Sequence, residues 1–478
     1  MGRWYIWPRP PQVPRDWRKT LAGPAQTVIL AFALLDLAAA GLLMLPLAQK
    51  PDQDVQPVEA FFTSTSALTV TGLTVVDTPD TWSLFGLLII LLLVQIGGIG
   101  IIAFASLLIL VSARSIGLKM RLTTQTETTS LSPGDVRRVV LRIARYSLLI
   151  EAVVAVILSL RFALAYDYSV LKAGWYGIFH AVTSFNHAGF ALFSDSLVSF
   201  LGDAWITLTI DAAVILGSLG FPVLYELWHS LPETKRAARR RPAGSVRRRL
   251  TPNLWSLHTR LVILFTIILL VAGFVLFTAL EWGNPRTLGP LPVWEKLVAG
   301  VTGSVQPRSG GFNSVDYAEV TDGNLLSTQV LMFIGGGSAS TAGGIKVTTF
   351  AVLLFAVLAA VRGESDVTAV GRRVAPRAQR TSLVVVTIYL AVLGIASILL
   401  VTIDDQIPLD DMLFDAISAA GTVGLSTGAS TQASGWSQLI LSGLMLLGRV
   451  GPVTLATALA MRETPSLYRL PEERPLVG

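Results

Sequence analysis

Four short segments of this sequence share a pattern that their side chains alone would not reveal. They read EAFFTSTSALTVTGLTVVD at 59–77, GIFHAVTSFNHAGFALFSD at 177–195, LVAGVTGSVQPRSGGFNSVD at 297–316 and LFDAISAAGTVGLSTG at 413–428. Each is an amphipathic helix-like stretch, a glycine turn, and an apolar-polar run ending near an acid or glycine. Aligned on the turn, Gly72, Gly189, Gly311 and Gly424 recur at intervals of 117, 122 and 113 residues. Successive carbonyls can face one way along an extended strand only if some residue takes a positive φ, which glycine does without steric cost. Such carbonyls, converging from several strands, replace the hydration shell of a cation. The alternative is four unrelated turn glycines in a chain that has 41. The shared framework and the spacing argue against it.

The elements that must hold these turns are membrane spans. The chain has 478 residues, of which 52% are hydrophobic and only 14% charged, against about 25% charged in soluble proteins. Apolar runs at 27–47, 82–111, 204–227, 261–280, 383–401 and 439–461 are close to or above the ~20 residues a helix needs to cross a bilayer. Each turn segment lies between two such runs, so the expected unit is helix, re-entrant half-helix with loop, helix. Four units are expected in series. Non-helical backbone at membrane depth persists only where protein shields it or where it lines a water-filled cavity. Four loops about one axis satisfy that condition together, and half-helices running inward from outside would direct their partly negative carboxyl ends toward the axis.

Charge sets the orientation. Of 37 Lys and Arg, 29 fall in 1–26, 114–145, 235–260, 362–380 and 462–474, and excess basic residues in short connections mark the cytoplasmic side. Both termini are therefore expected inside. No cleavable leader is read in the first 26 residues, which are expected to be a cytoplasmic tail. The alternate connections are acidic: Asp52, Asp54, Glu59, Asp77, Asp80, Asp316, Glu319, Asp322, Asp404, Asp405, Asp410, Asp411 and Asp415. Two readings of them stand, solvated loops or a carboxylate rim that concentrates cations. RRRPAGSVRRR, between two spans, reads as a positive-inside loop rather than a nucleic-acid patch. The chain has no cysteine and only four histidines, which leaves no thiol chemistry and no His-rich metal cluster.

One apolar run is interrupted by ten small residues, GGGSASTAGG at 335–344, which cannot hold a helix in isolation. A broken span bordering a cavity and a tight packing face for neighbouring helices both fit. It is not a nucleotide-binding loop, because the Gly-x₄-Gly-Lys-Ser/Thr spacing is not met. Two cations lie at membrane depth, Lys346 just after this stretch and Arg449 in the last span, and such residues are functional by default. Arg449 either faces a pore or forms an ion pair with Asp36, Glu151 or Asp211. Lys346 either belongs to the same site or snorkels to the inner interface.

The four single-glycine turns, QIGGIGI at 95–101, GGGSASTAGGIKVTT at 335–349 and GRVGPVTL at 448–455 occur in the order found in the Trk/Ktr/HKT superfamily of cation transporters. The sequence resembles its bacterial Ktr-type potassium transporters over about residues 25–461. The resemblance implies an all-α integral membrane protein with four tandem M1–P–M2 repeats around one pseudo-fourfold pore. It implies pore repeats at 27–112, 145–231, 258–361 and 383–462, joined by cytoplasmic loops at 113–144, 232–257 and 362–382, with tails at 1–26 and 463–478. K⁺ would be bound by backbone carbonyls of Val70, Thr71 and Gly72; of His187, Ala188 and Gly189; of Ser309, Gly310 and Gly311; and of Thr422, Val423 and Gly424. The His187 ring is expected to point away from the ions.

By the same resemblance an intramembrane gating loop comprises Gly335, Gly336, Gly337, Ser338 and Ala339, followed by Ser340, Thr341, Ala342, Gly343 and Gly344. Lys346 and Arg449 join it, Arg449 at a family position implicated in blocking the inner half of the pore. The resemblance further implies K⁺ uptake across the bacterial cytoplasmic (inner) membrane, with Na⁺ as a possible modulator and no organic cofactor in this chain. The expected partners are a second copy in a homodimer, a cytoplasmic nucleotide-binding regulatory ring, and membrane lipids, with no nucleic acid. A Na⁺-conducting relative is an alternative, though family members that favour Na⁺ carry Ser where this chain has Gly72. An alternating-access carrier and a membrane-embedded enzyme are further alternatives; neither accounts for four re-entrant segments.

Overall fold

The computed structural model describes residues 24–115, 133–228 and 255–461. Most of both tails and of the first two basic loops lies outside the described residues. Four repeats follow one another. The first comprises α1 (Pro24–Leu43), the half-helix α2 (Pro57–Leu68), a single turn α3 (Thr78–Thr81) and α4 (Leu84–Ser115). The second has α5 (Pro133–Ala165), α6 (Val170–Phe185), α7 (Ala204–Leu219) and α8 (Phe221–Trp228). The third has α9 (Leu257–Glu281), α10 (Val293–Val305), α11 (Asp322–Phe333) and α12 (Val347–Val361). A two-stranded hairpin, β1 (Thr368–Ala369) with β2 (Arg372–Arg373), leads to α13 (Pro376–Ile403), α14 (Leu409–Gly421), the turn α15 (Ala429–Gln432) and α16 (Gly435–Met461).

The re-entrant helices α2, α6, α10 and α14 have 12, 16, 13 and 13 residues. At 1.5 Å per residue each is about 18–24 Å long, too short to span a membrane. Local chemistry starts them. Pro57 takes the first helical position of α2, and Glu59 reaches back to accept the Gln56 N–H at 2.9 Å, as a capping box does. Ser169 caps α6 by accepting from Lys172 N at 3.4 Å. All four end beside a glycine turn, and most residues of their last two turns are buried.

Around this centre stand the long helices. In α5 the stretch Val140–Ala165, and the whole of α9 and α13, are long and apolar enough to cross a membrane. Their outward faces carry Leu160, Ile267, Ile268, Ile395 and Ile398 in the open. A face like that is unfavourable in water and is solvated by lipid chains. Packing interlocks the repeats. Ala188 and Phe190 of the second turn segment belong to the apolar cluster built on α1, α2 and α4, and Val423 and Leu425 of the fourth pack with Phe277, Val315 and Tyr317 of the third.

Two departures from the sequence reading stand out. The run at 204–231 is not one continuous span. It breaks at Gly220, which has φ +83°, and α8 leaves α7 at 96°. Two acidic residues read as part of the exposed acidic connections are also not exposed. Asp404 and Asp415 are buried, whereas Asp52, Asp54, Asp77, Asp80, Asp316, Asp322, Asp405 and Asp410 are exposed. Apolar flanking sequence does not distinguish a carboxylate inside a half-helix from one in a loop.

Candidate functional site

The four turn segments share a backbone signature. Two residues before each glycine, Val70, His187, Ser309 and Thr422 take φ of +57°, +68°, +69° and +46°, and the glycines Gly72, Gly189, Gly311 and Gly424 take +90°, +65°, +83° and +99°. A left-handed residue at every second position therefore repeats fourfold. For a non-glycine, and above all for β-branched Val70 and Thr422, this conformation costs about 1–3 kcal/mol and persists only where the surroundings impose it.

The segments form a closed ring. A Cβ on Gly72 would lie 2.1 Å from the Ala188 carbonyl oxygen, one on Gly189 2.8 Å from Gly311 O, one on Gly311 2.4 Å from Val423 O, and one on Gly424 2.2 Å from Thr71 O. Each glycine thus makes room for a carbonyl of the next repeat, and the fourth returns to the first. Glycine is required here by the neighbour's approach as well as by φ. Amides are directed back to the half-helices: Thr71 N to Ser66 O at 2.8 Å, Ala188 N to Thr183 O at 2.7 Å and Val423 N to Ser418 O at 2.8 Å. Side chains take the next amides, with Gly72 N donating to Ser66 Oγ at 3.0 Å and Gly424 N to Ser418 Oγ at 3.1 Å. In the third repeat Gln306 serves instead, its backbone oxygen accepting from Gly310 N at 2.8 Å and its Oε1 from Phe312 N at 3.1 Å.

One buried carboxylate anchors each segment, and all four are held by neutral donors. Asp36 of α1 accepts from Ser64 and Thr65 at 2.6 and 2.7 Å. Glu151 of α5 accepts from Asn186 at 3.0 Å and from Gln95 at 3.2 Å. Asp211 of α7 accepts from Thr302 and Gln306, both at 2.8 Å. Asp415 of α14 accepts from Ser426 Oγ and Ser430 N, both at 2.7 Å. A buried carboxylate with two or more donors is satisfied where a lone one would be very costly. The alternative of an ion pair between Arg449 and Asp36, Glu151 or Asp211 is not what the structure shows, because hydroxyl and amide groups occupy these carboxylates and Arg449 turns to backbone carbonyls. Asp415 was missed as an anchor. Its place in the first half of a predicted half-helix was the available signal.

The His187 ring faces two carbonyls, Ser309 O through Nδ1 and Val214 O of α7 through Nε2, each at 2.8 Å. It therefore bridges the second and third turn segments and α7.

Beneath the ring, residues 335–344 form a loop between α11 and α12. Gly335 N donates to Ile345 O at 2.9 Å and Val347 N to Gly336 O at 3.0 Å, closing its neck. The break in α7–α8 supports it: Gly337 N donates to Ser218 O at 2.7 Å and Phe221 N to Ala339 O at 3.1 Å. Thr341 Oγ1 donates to Phe185 O at 3.1 Å, and Gly343 N to Ser309 Oγ at 3.1 Å. Lys346 Nζ folds back to Ala342 O instead of extending to an interface. Arg449, 3% exposed, donates through Nη1 to Thr341 O and through Nη2 to Gly97 O at 3.1 Å. Half-buried Lys346 and buried Arg449 thus converge on this loop. The kink at Gly220 and its bonds to the loop had no reading in the sequence beyond a single glycine in an apolar run.

The chain matches the TrkH family of cation transport proteins over residues 12–469. It is 36% identical to the Ktr system potassium uptake protein B of Bacillus subtilis (strain 168), covering 95% of this chain and 97% of that one. It is 31% identical to the potassium/sodium uptake protein NtpJ of Enterococcus hirae, covering 96% and 98%. The crystal structure of the potassium transporter TrkH from Vibrio parahaemolyticus superposes with a TM-score of 0.69 at 19% identity, covering 92% of this chain and 86% of that one, and so shares its fold. With four helix, half-helix, helix units about one axis and a family match over nearly its whole length, the chain belongs to the TrkH family of cation transport proteins.

Proposed function

We propose that this protein takes up K⁺ through a gated pore whose narrowest part is the ring of the four turn segments. The closed ring carries the reading: each glycine admits a carbonyl of the next repeat, so main-chain oxygens from all four repeats gather where a dehydrated ion would pass. The ion ligands are the backbone carbonyls of residues 70–72, 187–189, 309–311 and 422–424. Ser309 O and Thr422 O also face His187 Nδ1 and Ser309 Oγ, and each keeps a second lone pair for an ion. The relatives named for potassium uptake support this choice of ion.

The loop at 335–344, with Lys346 and Arg449, is the gate. Two positive charges directly beneath a cation site oppose ion entry until they or the loop move. The protein is a carrier of ions rather than an enzyme and needs no organic cofactor. It works in the bacterial cytoplasmic membrane with both termini inside, as a homodimer, opened by a nucleotide-binding regulatory ring on its cytoplasmic face. A second reading, in which Na⁺ is carried or modulates transport, is favoured by the similarity to a potassium/sodium uptake protein.

The test is Rb⁺ uptake into proteoliposomes with Na⁺ as competitor. Wild type is expected to accumulate Rb⁺, and Arg449→Ala, or a deletion within 335–344, to raise basal flux without the regulatory partner. Absence of Rb⁺ uptake in every variant would reject the pore. Unchanged flux in both variants would reject the gate.

A further inference from the structure

A single hydroxyl joins the loop to the ring. Ser309 Oγ accepts the Gly343 N–H of the loop at 3.1 Å and donates to the Thr422 carbonyl at 2.7 Å. A hydroxyl has one proton to give. Accepting from Gly343 leaves that proton for Thr422 O, one of the twelve carbonyls in the proposed ion path. Ser309 and Thr422 are fully buried, where low dielectric strengthens such a chain.

The other residues at this register make no equivalent link. Val70 has no polar group, His187 is engaged with Ser309 O and Val214 O, and Thr422 Oγ1 has no hydrogen-bond partner. Gly343 fits against Thr422 only because it lacks a side chain, since a Cβ there would lie 1.8 Å from Thr422 Oγ1. The loop, the third segment and the fourth segment thus meet at one atom.

We propose that Ser309 is the positioning residue through which loop and ring sense one another. With the loop seated, Gly343 orients the hydroxyl and the hydroxyl holds the Thr422 carbonyl. When the loop withdraws, the hydroxyl loses the donor that orients it and is free to turn its proton away from that carbonyl. Because coupling between two sites is reciprocal, ion occupancy of the ring in turn alters how firmly the loop is seated. This inference rests on the reading of the ring as ion path and of the loop as gate.

The chain contains no cysteine, so one introduced thiol reports on the loop alone. Ser340 is 2% exposed and its hydroxyl has no partner, so S340C removes no hydrogen bond and reacts when the loop moves. Val70 and Thr422 show that the register accepts β-branched residues, so S309T and S309V form a matched pair differing by the hydroxyl. S309A, smaller still, is the second hydroxyl-free variant. In full-length protein in proteoliposomes, K⁺ in place of Na⁺ is expected to change the rate of thiol modification at position 340 in the parent and in S309T. In S309V and S309A that dependence is expected to vanish, and the Rb⁺/Na⁺ uptake ratio to fall about tenfold below that of S309T, as for loss of one buried hydrogen bond. A parent that takes up Rb⁺, with hydroxyl-free variants matching S309T in both measurements, overturns the coupling alone. A parent that takes up no Rb⁺ overturns the transport reading and the coupling with it.

Discussion

At the scale of single residues, the ring glycines carry two demands at once, a left-handed φ and an empty Cβ position. Gly424 has φ +99°, and a Cβ would stand 2.2 Å from Thr71 O. Replacing it by Ala must displace a carbonyl of the first repeat, and overpacking of this kind costs about 1–3 kcal/mol. Gly424→Ala is therefore expected to cut Rb⁺ uptake by more than about tenfold, with a melting temperature a few degrees lower in detergent. Retention of wild-type uptake would show that the ring is not closed as described. Arg449 illustrates a different residue-scale lesson. Its cost of burial is offset in part by two backbone carbonyls, from α4 and from the loop, while Nε is left without a partner. Removing the guanidinium leaves those acceptors to rearrange, and no carboxylate is orphaned.

At the scale of elements, each turn segment is tied by a buried carboxylate with neutral donors, from a scaffold helix in the first three repeats and from the half-helix itself in the fourth, and this should be measurable. Asp211→Asn leaves one acceptor oxygen where two were used, so either Gln306 loses its partner or Thr302 turns to the more distant Val298 carbonyl at 3.2 Å. Gln306 in turn holds the amides of Gly310 and Phe312. The variant is expected to lose about 1–3 kcal/mol and to discriminate less between Rb⁺ and Na⁺, read from melting and from competitive uptake. The carboxyl end of α13 gives a pH-dependent case. Burial alone would raise the Asp404 carboxyl, but hydrogen bonds, including those from Ser434 N at 2.9 Å and Ser434 Oγ at 3.0 Å, outweigh it and hold it below the usual range. A carboxyl lowered on folding stabilises the fold above its unfolded pKa, and that contribution disappears as pH falls through the folded value. The difference in melting temperature between wild type and Asp404→Asn is thus expected at neutral pH and to close under strong acid. A difference unchanged by pH would assign the effect to packing.

At the scale of the whole molecule, the ring requires all four repeats, since each glycine receives a carbonyl from another repeat. The fold and the distribution of charge also make a topological statement. On the proposed positive-inside orientation, the hairpin β1–β2, with Arg372 and Arg373 exposed, lies on the cytoplasmic side, and exposed Asp316, just past the third turn segment, lies on the outer side. In the cysteine-free background, V370C is expected to react with an impermeant thiol reagent only from the inner face of right-side-out vesicles, and D316C only from the outer face. Labelling of both from one side would contradict the positive-inside orientation.

Membrane insertion, four repeats, the positions of the half-helices and the break at 335–344 were all legible in the residues. They follow from local quantities: length of apolar runs, spacing of glycines, density of small residues, and the side on which Arg and Lys gather. The tertiary structure alone decided the rest. Val70, His187, Ser309 and Thr422 have no intrinsic preference for a positive φ, and only the packing of neighbouring repeats imposes it. The kink at Gly220, the carboxylate anchors and the landing of Arg449 on backbone oxygens depend on partners 11 to 352 positions away. One-dimensional pattern records which residues tolerate burial or a bend. It cannot record which distant carbonyl, amide or hydroxyl will satisfy them, because that pairing exists only once the repeats have closed around a common axis.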